Sequence, residues 1–370
     1  MRLVSRFTKG GSPDYVFIAF LIILVVFGLV MLTSASSDLA KTKFGDSYYY
    51  LKHQITNGLI PGIIGFLLAL FLPMKAWEKI SLPALFVSIV FLLLVFSPLG
   101  FRALGADRWL SIGGFMFQPG EIVKFTFLIY MAAWIGRNRS RAKSVTHGLL
   151  PILVLLAFVI VPLILQPATT TAILIFISVL TMYFTAGAKM RYLFWIGIVA
   201  AVALVALIFI TPYRMQRILS FMNPEADPLG KTYQINQTLI AIGSGGLWGV
   251  GYGRSTTKLH YLPEPIGDSI FAVIGEELGF VGSMALILFF LFFVWRGLSI
   301  AKKAPDGFGR LAAMGFSTLI GIQAFVHIGA NSGLIPLTGV PLPFISYGGT
   351  ALAVFLTMSG IIVTISRRRG

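Results

Sequence analysis

Apolar residues run through this chain in long unbroken stretches separated by short polar segments. Ten stretches stand out: 15–32, 55–72, 80–97, 119–136 and 149–165, then 169–185, 192–210, 268–295, 311–328 and 344–365. Each is close to the roughly 20 residues that an α-helix needs to cross bilayer hydrocarbon. None alternates apolar and polar residues with a period of two, so barrel strands do not fit. A helix then satisfies its own backbone in lipid. The pattern predicts an all-α integral membrane protein with about ten transmembrane helices. The stretches extend from end to end, so residues 1–370 read as a single polytopic membrane domain. The first stretch follows Arg2, Arg6 and Lys9, as in a signal peptide. It is longer than the usual 7–15-residue signal core and further spans follow, so it reads as a retained first helix.

The polar segments are unequal. Phe101 to Gln118 reads as a polar, Gly-rich loop holding Arg102, Asp107, Arg108 and Trp109. The segment of about 211–267, between helices 7 and 8, is far longer, and a structureless loop of that length is uncommon unless it is functional. Short helices are expected within it, one of them over Tyr233–Ile242. Asn331 to Pro343 is uncharged and carries Pro336, Pro341 and Pro343. It predicts a re-entrant or broken-helix element, which needs protein or water around its backbone.

Charge orients the pattern. Of 29 Lys and Arg residues, 18 fall in the segments on the same side as the termini, 10 fall on the other side, and Lys124 lies within a helix. The positive-inside rule places both termini in the cytoplasm and the long loop outside. Only 11% of residues are charged, too few to cover a soluble domain. The net charge of +16 is therefore read as topology signal and anionic-lipid contact, with no nucleic-acid partner. There is no cysteine, which excludes disulfides and thiolate metal sites.

Ionisable groups at membrane depth are costly and are candidates for function. Glu121 and Lys124 share a helix face and can neutralise one another, either to fix packing or to line a polar cavity. Asp268 sits where the long loop enters the eighth helix, in Leu262-Pro263-Glu264-Pro265-Ile266-Gly267-Asp268-Ser269. It suits a helix N-cap or, partly buried beside a groove, a general base. Glu276 and Glu277, two turns further, read as organisers of the bundle. Arg102, Arg108, Arg214, Arg217, Arg254 and Lys258 outnumber the acids of their loops; they suit a pyrophosphate or, equally, unselective lipid headgroups. The glycine run 243–253 follows no strand and lacks a Gly-Lys-Ser/Thr ending, so it is not a nucleotide loop, though it suits an anion nest. His53, His147, His260 and His327 lack metal spacing.

Several stretches together resemble the SEDS family (shape, elongation, division and sporulation). They are Arg108-Trp109-Leu110-Ser111-Ile112-Gly113, Gln118-Pro119-Gly120-Glu121-Ile122-Val123-Lys124 and Asn223-Pro224-Glu225-Ala226-Asp227-Pro228-Leu229-Gly230. Three more are Tyr233-Gln234-Ile235-Asn236-Gln237, Ala241-Ile242-Gly243-Ser244-Gly245-Gly246-Leu247 and Phe271-Ala272-Val273-Ile274-Gly275-Glu276-Glu277-Leu278-Gly279. Gly339-Val340-Pro341-Leu342-Pro343-Phe344-Ile345-Ser346-Tyr347-Gly348-Gly349-Thr350 closes the set. The match runs in order over nearly the whole chain. Lys258-Leu259-His260-Tyr261-Leu262-Pro263-Glu264 and Tyr48-Tyr49-Tyr50-Leu51-Lys52-His53-Gln54 bring it nearer the division branch than the elongation branch.

The resemblance implies an inverting peptidoglycan glycosyltransferase that polymerises lipid II at the outer face of the bacterial cytoplasmic membrane, in septal wall synthesis. Its implied partners are a class B penicillin-binding protein transpeptidase and other division proteins. No cofactor is fixed by it, and a divalent cation (Mg or Mn) stays open. It implies Asp268 as general base. Arg108, Trp109, Glu121, Lys124, Glu264 and Lys258 are assigned to binding the substrate or its pyrophosphate, and Arg217, Glu276 and Glu277 to the cavity or a structural role. Two departures stand out. Where the family reads Gln-Pro-Asp, this chain has Gln166-Pro167-Ala168, and where it reads His-Thr-Asp-Phe, this chain has Ile266-Gly267-Asp268-Ser269. The rival readings are a lipid II flippase and a weakly active scaffold for the transpeptidase.

Overall fold

The computed structural model describes residues 11–103, 106–223, 227, 230, 232–259 and 261–368. In chain order the elements are α1 (Tyr15–Phe44), α2 (Tyr49–Phe71), α3 (Met74–Leu94), β1 (Gly100–Ala103), β2 (Ala106–Ile112) and β3 (Phe115–Phe117). Then come α4 (Pro119–Arg137), α5 (Val145–Leu165), α6 (Thr169–Thr185), α7 (Met190–Ile210), α8 (Pro212–Met222) and α9 (Tyr233–Ser244). The last are α10 (Ile270–Lys302), α11 (Gly307–Asn331) and α12 (Gly349–Ser366). Among the described residues, eight helices are long and apolar enough to cross a membrane: α1, α2, α3, α5, α7, α10, α11 and α12. The charged α4 and the 17-residue α6 bring the set to the ten expected. The protein is an all-α integral membrane bundle.

α11 and α12 lie at the centre, each with 67% of its spanning window buried, whereas α7 is a peripheral helix with 6% buried. Small residues let helices approach where lipid offers no hydrophobic drive between them. Gly58, Gly62 and Gly65 of α2 face α12, and a Cβ at Gly58 would stand 3.0 Å from the Gly349 Cα. At one end of the bundle the first and last described segments meet. The Asp14 backbone N–H donates to Ser366 Oγ at 3.0 Å, and Asp14 pairs with Arg296 of α10 at 3.0 Å.

Three expectations need correction. The segment from Phe101 to Gln118 is not an irregular loop: β1, β2 and β3 form an antiparallel sheet. Gly113 and Gly114, both at positive φ, close the two-residue turn between Ile112 and Phe115, as right-handed hairpin twist requires. α2 begins at Tyr49, six residues before the apolar run, because Tyr49–Gln54 continues the helix through a π-turn at Ile55–Leu59. The eighth span is not one straight helix from Asp268. α10 starts at Ile270 and is broken at Gly279 (φ 67°, ψ −166°).

That break frees backbone groups, and the glycine run of residues 243–253 satisfies them. Val250 N and Gly251 N donate to the carbonyls of Glu276 and Glu277, while Phe280 N and Val281 N donate to Gly246 and Leu247. Residues 270–278 thus form a buried half-helix, and residues 280–302 make the crossing. The expected helices of the long segment are present as α8 and α9.

Candidate active site

Asp268 stands at the N-terminal end of the buried half-helix of α10, on the face of the bundle away from the paired termini. It does not cap that helix: Ser269 holds the N-cap position and has no side-chain cap bond. The Asp268 carboxylate lines a small cavity, about 20 Å³ in volume, with Arg217, Gln234, His327, Asn331 and Thr338 among its neighbours. Burial pushes its carboxyl above the usual Asp value, and the charges of Arg217 and Arg108 pull it back down.

The re-entrant segment expected near Asn331–Pro343 is an irregular strip after α11, with Val340, Leu342, Phe344 and Ile345 buried. Four side chains from three helices satisfy its carbonyls, which is what permits non-helical backbone at that depth. Arg217 donates to Leu337 O (2.8 Å), Thr170 to Thr338 O (3.2 Å), and Gln323 to Pro341 O (2.8 Å). His327 Nδ1 lies 2.8 Å from Val340 O. Gly339, at φ 66°, brings this strip against Asp268, with the Asp268 Oδ2 3.3 Å from where a Cβ would stand. Further along, Ser346 Oγ donates to Gly267 O and Tyr347 N to Ile266 O, both at 2.8 Å.

Two arginines flank Asp268. Arg217 of α8 stacks on Tyr213, its guanidinium carbon 4.7 Å from the ring centre. Arg108 of β2 donates from Nε to Gln166 O at 3.1 Å and from a terminal nitrogen to Pro167 O. Those carbonyls end α5, where the helix dipole is negative. Arg108 thus docks beside Ala168, the position where the family's carboxylate is replaced, and backbone oxygens take up its fork. Glu264, at φ 49°, accepts from Gly267 N and Ser269 N through its carbonyl, each at 3.1 Å. Its carboxyl is raised by lost hydration and by Asp268, and lowered by Lys43. Trp109 lies beside Arg108 in β2, paired with Phe101.

Glu121 and Lys124 form a second group. Their ion pair is 2.7 Å long and buried, and Lys124 Nζ also donates to Gln323 Oε1 at 2.8 Å. Gln323 relays this pair to Pro341 and so to the strip beside Asp268. Below it, Phe127, Met131, Phe316, Leu319, Phe355 and Met358 are buried and apolar.

Lys258, Glu276 and Glu277 are placed apart from Asp268 as a third group. Lys258 pairs with Glu277 at 2.6 Å, and both contact Ser34 Oγ. Glu276 accepts from Ser255 Oγ (2.6 Å), Thr256 N (2.9 Å) and Thr257 Oγ1. This group ties the turn 255–258 to the half-helix, so Lys258 faces an internal carboxylate. Arg214 is held by Thr169, Thr211 and the Ile164 carbonyl. Lys231, His260, residues 224–226 and the side chains of Arg102 and Asp107 lie outside the described part. Sequence reading missed Gln234, His327, Asn331 and Thr338 as cavity residues. His327 and Asn331, two polar residues four apart at the end of the ninth spanning helix, α11, were the signal for two of them.

Comparisons with known proteins agree in scale with this geometry. A family model for FtsW, RodA and SpoVE, described as cell cycle protein, matches residues 14–370. A probable peptidoglycan glycosyltransferase FtsW from Geobacter sp. (strain M18) is 38% identical, over 96% of this chain and 97% of its own. Stage V sporulation protein E of Bacillus subtilis (strain 168) is 36% identical, over 97% and 98%. Among solved structures, a chain from a peptidoglycan synthase complex, studied for its coordination of polymerization and crosslinking, superposes with a TM-score of 0.78. It is 26% identical, with 96% of this chain and 98% of that one covered. The rod shape determining protein RodA of Thermus thermophilus gives 0.70 at 27% identity, covering 96% and 97%. By full-length match and by its motifs, this chain belongs to the FtsW/RodA/SpoVE family of cell cycle proteins.

Proposed function

We propose that this protein is a peptidoglycan glycosyltransferase that polymerises lipid II into β-1,4 glycan strands, with Asp268 as general base. The observation that carries the reading is a partly buried carboxylate at the mouth of a membrane bundle, flanked by two guanidinium groups. The names of the FtsW relatives support the same activity. The acceptor's sugar hydroxyl attacks the anomeric carbon of a lipid-pyrophosphate-linked sugar, and the anomeric configuration inverts. A hydroxyl is a poor nucleophile, so Asp268 accepts its proton as the new bond forms. The pyrophosphate leaves with the electron pair, and preorganised cations stabilise the charge it develops. Arg108 and Arg217 are the candidates nearest the base. Lys258, committed to Glu277, is not assigned to that role. Among the described residues no group of three or more His, Asp or Glu is placed to hold a metal.

The site faces outward, the termini face the cytoplasm, and the division-type similarity supports a septal role beside a transpeptidase of the penicillin-binding class. A flippase would need a polar path for the headgroup to the cytoplasmic side. The apolar packing beneath Lys124 favours polymerisation over transport. The test is purified protein with its transpeptidase partner, given labelled lipid II. Glycan chains form with the wild type and not with Asp268→Ala, a loss of at least about a hundredfold for a general base. Unchanged polymerisation by that variant would remove Asp268 from the chemistry.

A further inference from the structure

Two kinds of group surround the cavity beside Asp268. Arg217 lines it as a cation, and the charge of Arg108 also reaches the carboxylate. His327 and Asn331 line it too, each 1% exposed. His327 Nδ1 lies 2.8 Å from the Val340 carbonyl. A carbonyl only accepts, so Nδ1 carries the proton and Nε2 presents a lone pair. Asn331 Nδ2 donates to the carbonyls of Asp268 (2.8 Å) and His327 (2.9 Å), which leaves Oδ1 as an acceptor. Among the described residues neither His327 Nε2 nor Asn331 Oδ1 has a hydrogen-bond partner. Buried acceptors without a donor are costly, and an ionised carboxylate offers them none. A protonated one does.

Resting on the reading of Asp268 as base, we propose that His327 and Asn331 are positioning residues that receive the Asp268 O–H once it has taken the acceptor's proton. The bond is made directly or through one water, for which a cavity of about 20 Å³ has room. The step balances. The hydroxyl O–H bond breaks as its oxygen bonds to the anomeric carbon, the carbon–oxygen bond to pyrophosphate breaks, and the proton resides on Asp268. The arginines favour the carboxylate before the transfer, and the two acceptors favour the acid after it. The other charges near this group are Glu264, on the same loop as Asp268, and the Glu121–Lys124 pair, reached through Gln323 one turn along α11.

The experiment measures initial polymerisation rates across pH for the full chain with its transpeptidase partner and labelled lipid II. Removing an acceptor weakens the protonated carboxyl. His327→Leu therefore moves the acid limb to lower pH and lowers the plateau rate about tenfold, with KM for lipid II unchanged. His327→Gln, which keeps an acceptor, restores part of both. A His327→Leu limb that coincides with wild type, or moves to higher pH, overturns the proposal. Thermal unfolding in detergent checks that each variant is folded, and Asn331→Leu serves the same comparison where His327→Leu melts early. Full polymerisation by Asp268→Ala would instead overturn the base assignment itself.

Discussion

At Asp268, lost hydration and neighbouring charge act in opposite directions, and lost hydration is the larger effect. The carboxyl therefore stays protonated to a higher pH than an exposed aspartate. Activity carried by the ionised form rises as pH climbs through that raised value. The acid limb of kcat/KM is expected above the ordinary Asp value, and Arg217→Gln, which removes a stabilising cation, moves it higher still. A pH profile of lipid II polymerisation checks both, and a limb at the ordinary Asp value contradicts them. Lys258 has a different task. Its removal leaves Glu277 buried without its cation, which costs about 3–5 kcal/mol. Lys258→Met should lower the melting temperature sharply, and adding Glu277→Gln should recover most of the loss. The residues near Asp268 were only partly legible in the chain. Arg108 and Arg217 declared themselves as charges in polar segments. Gln234 did not, and the spacing of His327 and Asn331 marked them only as polar residues; their meeting with Asp268 is made by the strip 332–348 folding back, which no local spacing reports.

At the scale of elements, the presence of each span read directly as an apolar run, because lipid imposes one secondary structure on such sequences. The course of the eighth did not, because its apolar run conceals a break. Nothing in the composition of residues 268–295 distinguishes a straight helix from two helices. The sign lay elsewhere, in the glycine run 243–253, whose backbone serves as partner to the break. The hairpin of β1 to β3 was hidden for a similar reason: its strands are short, and Gly113-Gly114 was read as loop composition rather than as a turn. Gly279→Ala tests the break. Alanine at φ 67° costs on the order of 1–3 kcal/mol, and its Cβ would meet the backbone of Gly249 and Leu247. Lower thermal stability and loss of polymerisation are expected together. A variant as stable and active as wild type would show that the half-helix needs no such fit.

For the molecule as a whole, the charge asymmetry predicts sidedness, and the absence of native cysteine makes it simple to measure. Single cysteines at exposed Met116 of β3 and exposed Val145 at the start of α5 should report opposite faces. In intact cells an impermeant maleimide should label Met116→Cys and spare Val145→Cys. The reverse pattern would invert the topology. The apolar packing under Lys124 has a consequence of an electrical kind. A polar site sunk into a membrane that holds a voltage is a possible short circuit, and each elementary charge crossing 100 mV carries about 2.3 kcal/mol. The Glu121–Lys124 pair is the last ionised layer before Phe127, Met131, Phe316, Leu319, Phe355 and Met358. Those six side chains give a proton no group to hop along. Such a layer closes the well on that side, so the proton-releasing chemistry proposed here would run on one face without draining the gradient that powers the rest of the membrane.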